Sequence, residues 1–381
     1  MMDFFDYTTL RLIWWGLLGA LLIGFALADG FDLGVATLLT TIGKTDSERR
    51  VVINTVGPVW EGNQVWLVLG GGAIFAAWPA LYALSFSGFY LAMFLTLTAL
   101  IVRPVAFKFR SKRPEASWRN RWDYVLVYSG LIPALIFGVA MGNVLQGVPF
   151  YFDDNLRPFY TGNLLGLLNP FALLAGLVSV ALLVTHGALY LTLKTDGVIQ
   201  QRAQRIAGLS GVVAGLLYAG AGVWLSQGLV GYQVTHAQTD GPSNPLYKTV
   251  ELVQSGLIDN YANHPVLWLV PILGIGASLV ASLLARWSWH GWAFVSNKLA
   301  ITSVITSVGI SLFPILLPSS THPSHSLSVF DSSSSETTLF IMLICTVIFL
   351  PLILMYTAWV YKVLWGRVRE TDLKTNSNQW Y

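Results

Sequence analysis

Charged residues are scarce in this 381-residue chain. They make up 11% of the sequence, whereas soluble domains typically carry about 25%. Hydrophobic residues make up 54%, and the mean hydropathy is +0.61. This composition excludes an ordinary soluble enzyme and predicts a polytopic membrane protein.

Cysteine and histidine are also rare. The one cysteine, Cys345, lies in an apolar run, which excludes a disulfide framework and a thiolate metal site. His322 and His325 lie three residues apart in a serine-rich segment, too few ligands for a typical metal site, so we interpret that segment as a solvated loop. The glycines 70–72 have no following lysine, which favours close helix contact over phosphate binding. We therefore predict no metal site and no nucleic-acid partner.

Nine apolar runs are long enough to cross a bilayer, which takes about 20 helical residues. A short turn near Pro79 separates the second run from the third, and a break at Arg286–Trp292 separates the seventh from the eighth. The runs are 12–42, 52–79, 80–107, 123–146, 164–193, 204–230, 265–286, 292–317 and 337–365.

The basic residues predict the orientation of the chain. Of the 22 Lys and Arg residues, 19 fall in or close to the segments after the first, third, fifth, seventh and ninth runs. Because basic segments stay on the cytoplasmic side, we expect the N-terminus outside, in the periplasm, and the C-terminus in the cytoplasm. An odd number of spans fits this arrangement.

A faint internal repeat predicts how the helices are grouped. Residues 19–30 resemble residues 176–187, and each segment ends in a polar residue followed by glycine. We therefore expect an all-α membrane protein with two four-helix bundles in a parallel pseudo-repeat, plus one peripheral helix. The expected units are residues 1–160, residues 161–320, and residues 321–381 with the ninth helix and a cytoplasmic tail.

A carboxyl group lies at the start of the second long apolar run. Glu61 is followed by Asn63 and Gln64 and is flanked by Trp60 and Trp66. A carboxyl group at membrane depth costs several kcal/mol unless it is paired, hydrated or protonated. We favour a functional group here over a neutral, hydrogen-bonded structural glutamate.

Further ionisable residues are predicted at a similar depth. Asp29 and Asp32 share one helix face. At about 1.5 Å of rise per residue from the nearest cytoplasmic basic residue, Asp32 lies roughly 18 Å deep, Glu61 roughly 16 Å and Arg103 roughly 10 Å, before its long side chain is counted. Three acids thus accompany one base. A proton site and a pair that only locks helix packing both remain open for Asp29, Asp32 and Arg103.

His186 is the one histidine clearly inside an apolar run. Such a residue can serve as an axial haem ligand. No second candidate ligand lies at a matching depth, so we favour a histidine that is hydrogen-bonded to a neighbouring helix.

An ordered set of short motifs runs along the chain. The motifs are Asp29-Gly-Phe-Asp-Leu-Gly34, Pro58-Val-Trp-Glu-Gly-Asn-Gln-Val-Trp66, Phe75-Ala-Ala-Trp-Pro79, Phe86-Ser-Gly-Phe-Tyr90, Arg103-Pro104, Gly142-Asn-Val-Leu-Gln-Gly-Val-Pro-Phe150, Tyr160-Thr-Gly-Asn163, Leu168-Asn-Pro-Phe171, Phe313-Pro314 and Leu317-Pro-Ser-Ser320. Each motif alone is weak, but the set resembles subunit II of cytochrome bd-type ubiquinol oxidases. The resemblance runs from about residue 8 to Tyr381.

The resemblance implies a role in a bacterial respiratory chain, in the cytoplasmic (inner) membrane. Such a complex oxidises quinol on the outer side, reduces O2 to water with cytoplasmic protons, and generates proton-motive force without pumping. Subunit I of the family carries two b haems, the d haem and the quinol-binding loop. Subunit II ligates no haem, stabilises subunit I and can line routes for protons or O2. A structural quinone in subunit II and small single-helix accessory subunits are further possibilities that the resemblance raises.

The resemblance also assigns roles to individual residues. Glu61 matches a position where many members have Asp, a carboxyl group in the proton route to the haems. Lys112 matches a residue near the entrance of that route. Asp32 and Arg103 match the family's buried acid and base. The longer side chain of glutamate leaves the detailed geometry at residue 61 open.

Two other functions compete with this interpretation. Nine spans, a parallel repeat and buried acids also suit a proton-coupled secondary transporter, although these spans lack the paired Gly/Pro breaks that are expected of substrate-binding broken helices. The other alternative is a structural scaffold in which every buried acid serves packing.

Overall fold

The computed structural model describes residues 6–371. Within this range the chain forms α-helices joined by short loops and three small hairpins. The helices are α1 (Tyr7–Ile42), α2 (Asp46–Val56), α3 (Trp60–Ala77), α4 (Pro79–Gly88), α5 (Tyr90–Phe109), α6 (Ala116–Gln146), α7 (Leu164–Leu167), α8 (Pro170–Lys194), α9 (Gly197–Gly228), α10 (Asp259–Asn263), α11 (Leu269–Arg286), α12 (His290–Leu312) and α13 (Glu336–Val363). The strands are β1 (Phe150–Phe152), β2 (Pro158–Tyr160), β3 (Gly231–His236), β4 (Thr249–Val253), β5 (Ile315–Leu317) and β6 (Leu327–Ser328).

Eight helical segments of the described chain are long and apolar enough to span a membrane. They contain α1, α5, α6, α8, α9, α11, α12 and α13. The all-α membrane architecture is therefore confirmed, but the count of nine spans is not. The predicted span that is missing from these eight is the second run, residues 52–79, where the helix is interrupted.

The interruption separates α2 from α3 at residues 57–59. Pro58 has no backbone N–H to continue the helical hydrogen bonds, and Val59, with φ −120° and ψ −21°, leaves the helical conformation. The polar residues that follow make the first turn of α3 less apolar than its remainder. The predicted single helix over 52–79 is thus two helices.

The predicted third span, 80–107, also begins elsewhere. α3 ends at Ala77, as the turn near Pro79 predicted, but residues 79–88 form the separate helix α4. Pro79 is its first residue, where the missing N–H costs no hydrogen bond. α4 packs against β2, in the loop between α6 and α7, with Gly88 beside the Tyr160 ring. The spanning helix α5 then starts at Tyr90.

Two long helices cross closely near the centre of the molecule. α1 contacts α3, α6 and α8, while α8 contacts α6, α9 and α12. At the crossing of α1 and α8, a Cβ atom on Gly187 would lie 2.4 Å from the backbone nitrogen of Val35. Glycine therefore permits a backbone approach that a larger residue would prevent. The two predicted repeat segments belong to these two helices, and the division into two bundles stays a prediction.

The loops that follow α6, α9 and α12, here called the outer loops, contain the hairpins β1–β2, β3–β4 and β5–β6. Buried Arg11 of α1 joins these loops, since its guanidinium donates to Thr239 O, Gly241 O and Ser333 Oγ. His325 Nδ1 accepts the backbone N–H of Phe152 at 3.0 Å. The pKa of His325 is lowered by burial and further lowered by the charges of His322 and Lys248.

The last helix, α13, lies at the periphery. It touches α1 and α3, and Leu339 is its one buried residue. Phe340, Met342 and Leu343 pack partly buried against the core, and most of its other apolar side chains are exposed, as expected for a helix in contact with lipid. This matches the peripheral helix that the sequence predicted.

Candidate functional site

A buried ion pair joins α1 to α5. Nη2 and Nη1 of Arg103 donate to Asp29 Oδ1 at 2.7 and 3.2 Å. Both side chains are almost completely buried, with exposed fractions of 1% and 0%. Pro104, directly after the arginine, lies inside α5 without ending it. The pairing of Arg103 with a buried aspartate, one of the predicted options, is therefore present.

The second aspartate of α1 has a different partner. Asp32 Oδ2 accepts a hydrogen bond of 2.7 Å from Nδ2 of Asn63 on α3. The side-chain oxygen of Asn63 in turn accepts 2.7 Å from the hydroxyl of Tyr361, near the end of α13. This chain, Asp32–Asn63–Tyr361, links three helices and reaches the partly exposed end of the peripheral one.

Trp60 closes one side of this charge network. Its ring is buried and stacks on Phe107 of α5, with centroids 5.2 Å apart. The Arg103 guanidinium carbon lies 5.6 Å from the Trp60 ring centroid, within reach of a cation–π contact. The start of α3 is thus held at the level of Arg103 on α5.

The charges of the buried network do not balance. Asp29 and Asp32 are two buried acids, and Arg103 pairs with Asp29 alone, while Asp32 bonds to the neutral Asn63. Asp29 Oδ2, Asp32 Oδ1 and Arg103 Nε have no hydrogen-bond partner in the described chain. A buried carboxylate without a counter-charge costs several kcal/mol, so the arrangement can retain one proton on the acid pair. Proton binding is the chemistry that these side chains can perform.

Glu61 does not join this network. Asn63 points inward, whereas Glu61, two residues earlier on α3, is exposed. Residues two apart on a helix face roughly opposite sides. Gln64 is partly exposed, and the partly buried ring of Trp66 packs beside Gly24 of α1.

The contacts of Asn63 define the level of Glu61 along the helices. Asp32 lies ten residues before Ile42, the end of α1, which is about 15 Å along the helix. The hydrogen bond between Asn63 and Asp32 places the first turn of α3 at that level. Glu61 therefore lies near the level of Asp32 and is exposed on the surface of the described chain, while its depth in the membrane stays a prediction.

Lys112 lies at the basic end of α5. It is exposed, in a short turn that follows the helix. Arg103, which contacts Trp60, is nine residues earlier, or about 13 Å along the helix axis. A similar axial distance separates Lys112 from the level of Glu61.

The surroundings of His186 do not fit a haem ligand. Its Nε2 lies 3.2 Å from Leu27 O, and its Nδ1 lies 3.2 Å from Nδ2 of Asn297. The ring is completely buried and stacks on Phe294 at 4.7 Å between centroids. Both nitrogens are therefore engaged within the protein, as favoured from the sequence.

A buried carboxyl group outside this network was not predicted from the sequence. Asp123 of α6 is fully buried and pairs with Arg49 and Arg110, while Arg110 and Arg119 also pair with Asp46. These ion pairs connect α2 to the turn after α5 and to the first turns of α6. A signal was available, because Asp123 opens the fourth apolar run directly after the most basic segment of the chain.

Comparison with known proteins decides the family. The family model described as "Cytochrome bd terminal oxidase subunit II" matches residues 10–364. The chain belongs to this family. Subunit 2 of cytochrome bd-I ubiquinol oxidase from Escherichia coli K12 is 46% identical over 377 residues, covering 99% of this chain and 100% of the relative. Cytochrome bd ubiquinol oxidase subunit 2 from Bacillus subtilis is 32% identical, with coverage of 95% and 98%.

A solved structure supports the fold of this subunit II chain. A chain of the bd oxidase from Geobacillus thermodenitrificans superposes with a TM-score of 0.67 at 17% identity, covering 93% of this chain and 98% of that chain. Membership of the family implies a subunit I partner, haem cofactors in the complex and a multi-pass location in the inner membrane.

Proposed function

We propose that this chain stabilises the haem-bearing subunit I of a quinol:O2 oxidoreductase and helps to deliver protons for the reduction of O2 to water. In this proposal subunit I carries the two b haems and the d haem. The complex contributes to proton-motive force without pumping. The exposed position of Glu61, near the level of the buried Asp32, is the observation that carries the proposal.

The argument starts from the surroundings of Glu61. A carboxyl group that faced hydrocarbon at a depth of about 15 Å would cost free energy, both as a carboxylate and as a neutral acid without a hydrogen-bond partner. The described part of the chain leaves Glu61 exposed, so a second protein surface or water must cover it in the membrane. A subunit boundary that contains both a carboxyl group and water can conduct protons.

Lys112 supplies an entrance from the cytoplasmic side. It is exposed, and it lies about 13 Å along α5 from the level of Glu61. That distance is too long for direct transfer between the two side chains. The route therefore requires intervening waters or side chains, and Gln64, partly exposed one turn after Glu61, can hydrogen-bond to them.

The buried network has a separate role in this proposal. Asp29, Asp32 and Arg103 hold α1, α3 and α5 together and fix the first turn of α3. Glu61 extends from the opposite side of that turn. The network therefore positions the carboxyl group of Glu61 without contacting it.

The test replaces the carboxyl group in the intact complex. Glu61→Gln retains the shape but cannot ionise, whereas Glu61→Asp retains the acid. We expect Glu61→Gln to lose most of the quinol-dependent O2 consumption with a normal haem spectrum, and Glu61→Asp to retain much of it.

Two results would count against the proposal. Full activity of Glu61→Gln would remove the proton role and leave the scaffold interpretation. Recovery of stoichiometric haem on this subunit alone would contradict its assignment to subunit I, and His186 would then need a new account. Family membership leaves the transporter hypothesis without support.

A further inference from the structure

Lys298 is a half-buried cation inside the candidate membrane-spanning helix α12, and it forms no ion pair with an acid among residues 6–371. It lies eight residues after His290, the start of α12, which is about 12 Å along the helix. Its charge was grouped with the cytoplasmic loop charges in predicting the topology, but the structure places it within the span. The sequence has no Asp or Glu between residues 260 and 330, and α8, which contacts α12, has none either. Helix α1 also contacts α12 and carries Asp29 and Asp32, but their partners are Arg103 and Asn63. Such a group is a functional candidate by default.

The Lys298 side chain points toward the basic end of α12. Its Nζ lies 4.6 Å from the ring centroid of Phe294, one turn closer to the start of the helix. Helical side chains tilt toward the N-terminus, and a long lysine can carry its charge toward the interface. The ammonium group is therefore roughly 6 Å nearer the membrane surface than the Lys298 backbone.

The exposed face around Lys298 is arranged like a lipid-binding surface. Trp292, Val295 and Leu299 lie on the same face at helical spacing and have exposed fractions of 67%, 46% and 47%. Trp287 and Trp289 in the preceding turn are also exposed. Tryptophan concentrates at the membrane interface, so these rings mark the headgroup level and Lys298 lies above it among acyl chains.

Additional positive charge surrounds this end of α12. Arg286, the last residue of α11, is exposed. Arg367, in the segment after α13, is close enough for its charge to act on His290. Basic groups at the cytoplasmic surface attract anionic lipids. A zwitterionic headgroup has no net charge and would leave the Lys298 charge uncompensated.

We propose that this face of α12 binds one anionic phospholipid of the cytoplasmic leaflet. Its phosphate faces the Lys298 ammonium group just above the level of Trp292, and its acyl chains lie along Val295 and Leu299. The proposal is independent of Glu61, which lies on a different helix.

The test measures which lipid the complex retains. The intact oxidase complex is incorporated into nanodiscs with equal amounts of phosphatidylglycerol and phosphatidylcholine, and bound lipid is counted by native mass spectrometry after release. We expect wild type to retain one phosphatidylglycerol. Lys298→Gln should lower the preference roughly fivefold, the effect typical of one basic residue at an anionic surface, while Lys298→Arg keeps most of it. Arg121→Gln removes an exposed charge from α6 and is the matched control.

Unchanged retention of phosphatidylglycerol in Lys298→Gln would overturn the proposal. A loss of subunit I from Lys298→Gln with normal lipid retention would overturn it too, because the lysine would then pair with a carboxylate of the partner. An equal loss in Arg121→Gln would show a general charge effect and refute a site at Lys298.

Discussion

Removal of Arg103 should destabilise the subunit more than almost any other single replacement of a basic residue. In Arg103→Met, Asp29 would lose both of its hydrogen-bond donors while it remains completely buried. Removal of one partner from a buried ion pair typically costs about 3–5 kcal/mol, because the remaining charge is uncompensated. Asp32 lies one turn away on the same face and would add repulsion.

A second replacement isolates the electrostatic part of this effect. In Arg103→Met/Asp29→Leu both charges are gone, and apolar residues of similar volume can replace a buried pair at little or no cost. The double variant should therefore be more stable than the single variant, with a coupling energy of roughly 3 kcal/mol. Arg121→Met, at an exposed site, is the control.

The assay is the free energy of unfolding of the purified complex in mixed detergent micelles, with assembly yield as a second measure. The expected order of stability is the control near wild type, then the double variant, then the single variant. Equal stability of the single and double variants would refute the reasoning, since it would mean that the unpaired carboxyl group of Asp29 costs nothing.

Three further predictions follow from separate contacts. Tyr361→Phe should destabilise the complex by about 1 kcal/mol through loss of its buried hydrogen bond, while Tyr356→Phe, on the exposed side of α13, should change nothing. The pKa of His325 in the folded state is below the ordinary value for histidine. The stability that neutral His325 contributes is therefore fully present above the ordinary value, and it is lost as the pH falls below that value and through the folded-state pKa. Thermal stability should therefore decrease from pH 7.5 to 5.5, and His325→Gln should flatten that dependence. Reporter fusions after residues 50, 121 and 205 should all be cytoplasmic, and one outside would contradict the topology.

The fold was predictable where apolar runs were long and unbroken. The runs 265–286 and 337–365 correspond to α11 and α13 with small shifts at their ends, whereas the run 164–193 is divided into α7 and α8 before Pro170. The second run was predicted as one helix although Gly57 and Pro58 were visible within it. Hydropathy averages over such a break, because the flanking residues remain apolar on both sides.

The buried charge network was predictable only in part. Helix rise placed Asp32 and Arg103 at compatible depths, and the structure brings Arg103 to Asp29. Helix phase was the missed signal for Glu61, since a residue two positions from Asn63 must face another direction. The contact between Tyr361 and Asn63 could not be predicted. The two residues are 298 positions apart in the sequence, and the position of α13 depends on how the helices pack.

The outer loops show what composition cannot predict. The segment around His322 and His325 was expected to be solvated, yet Ser319, Ser326 and Ser328 within it are buried. Their hydroxyl groups bond to backbone atoms of the same segment and of β1. Serine-rich sequence indicates a loop, but it does not reveal whether that loop is covered by other loops.

The proton role of Glu61 can be tested most directly by single-turnover proton uptake. The fully reduced complex is mixed with O2, and a pH-sensitive dye records proton uptake from the cytoplasmic side while haem absorbance records electron transfer. The account predicts that Glu61→Gln slows proton uptake strongly, that Glu61→Asp restores most of it, and that haem content is equal in both. Proton uptake at the wild-type rate in Glu61→Gln would contradict the account.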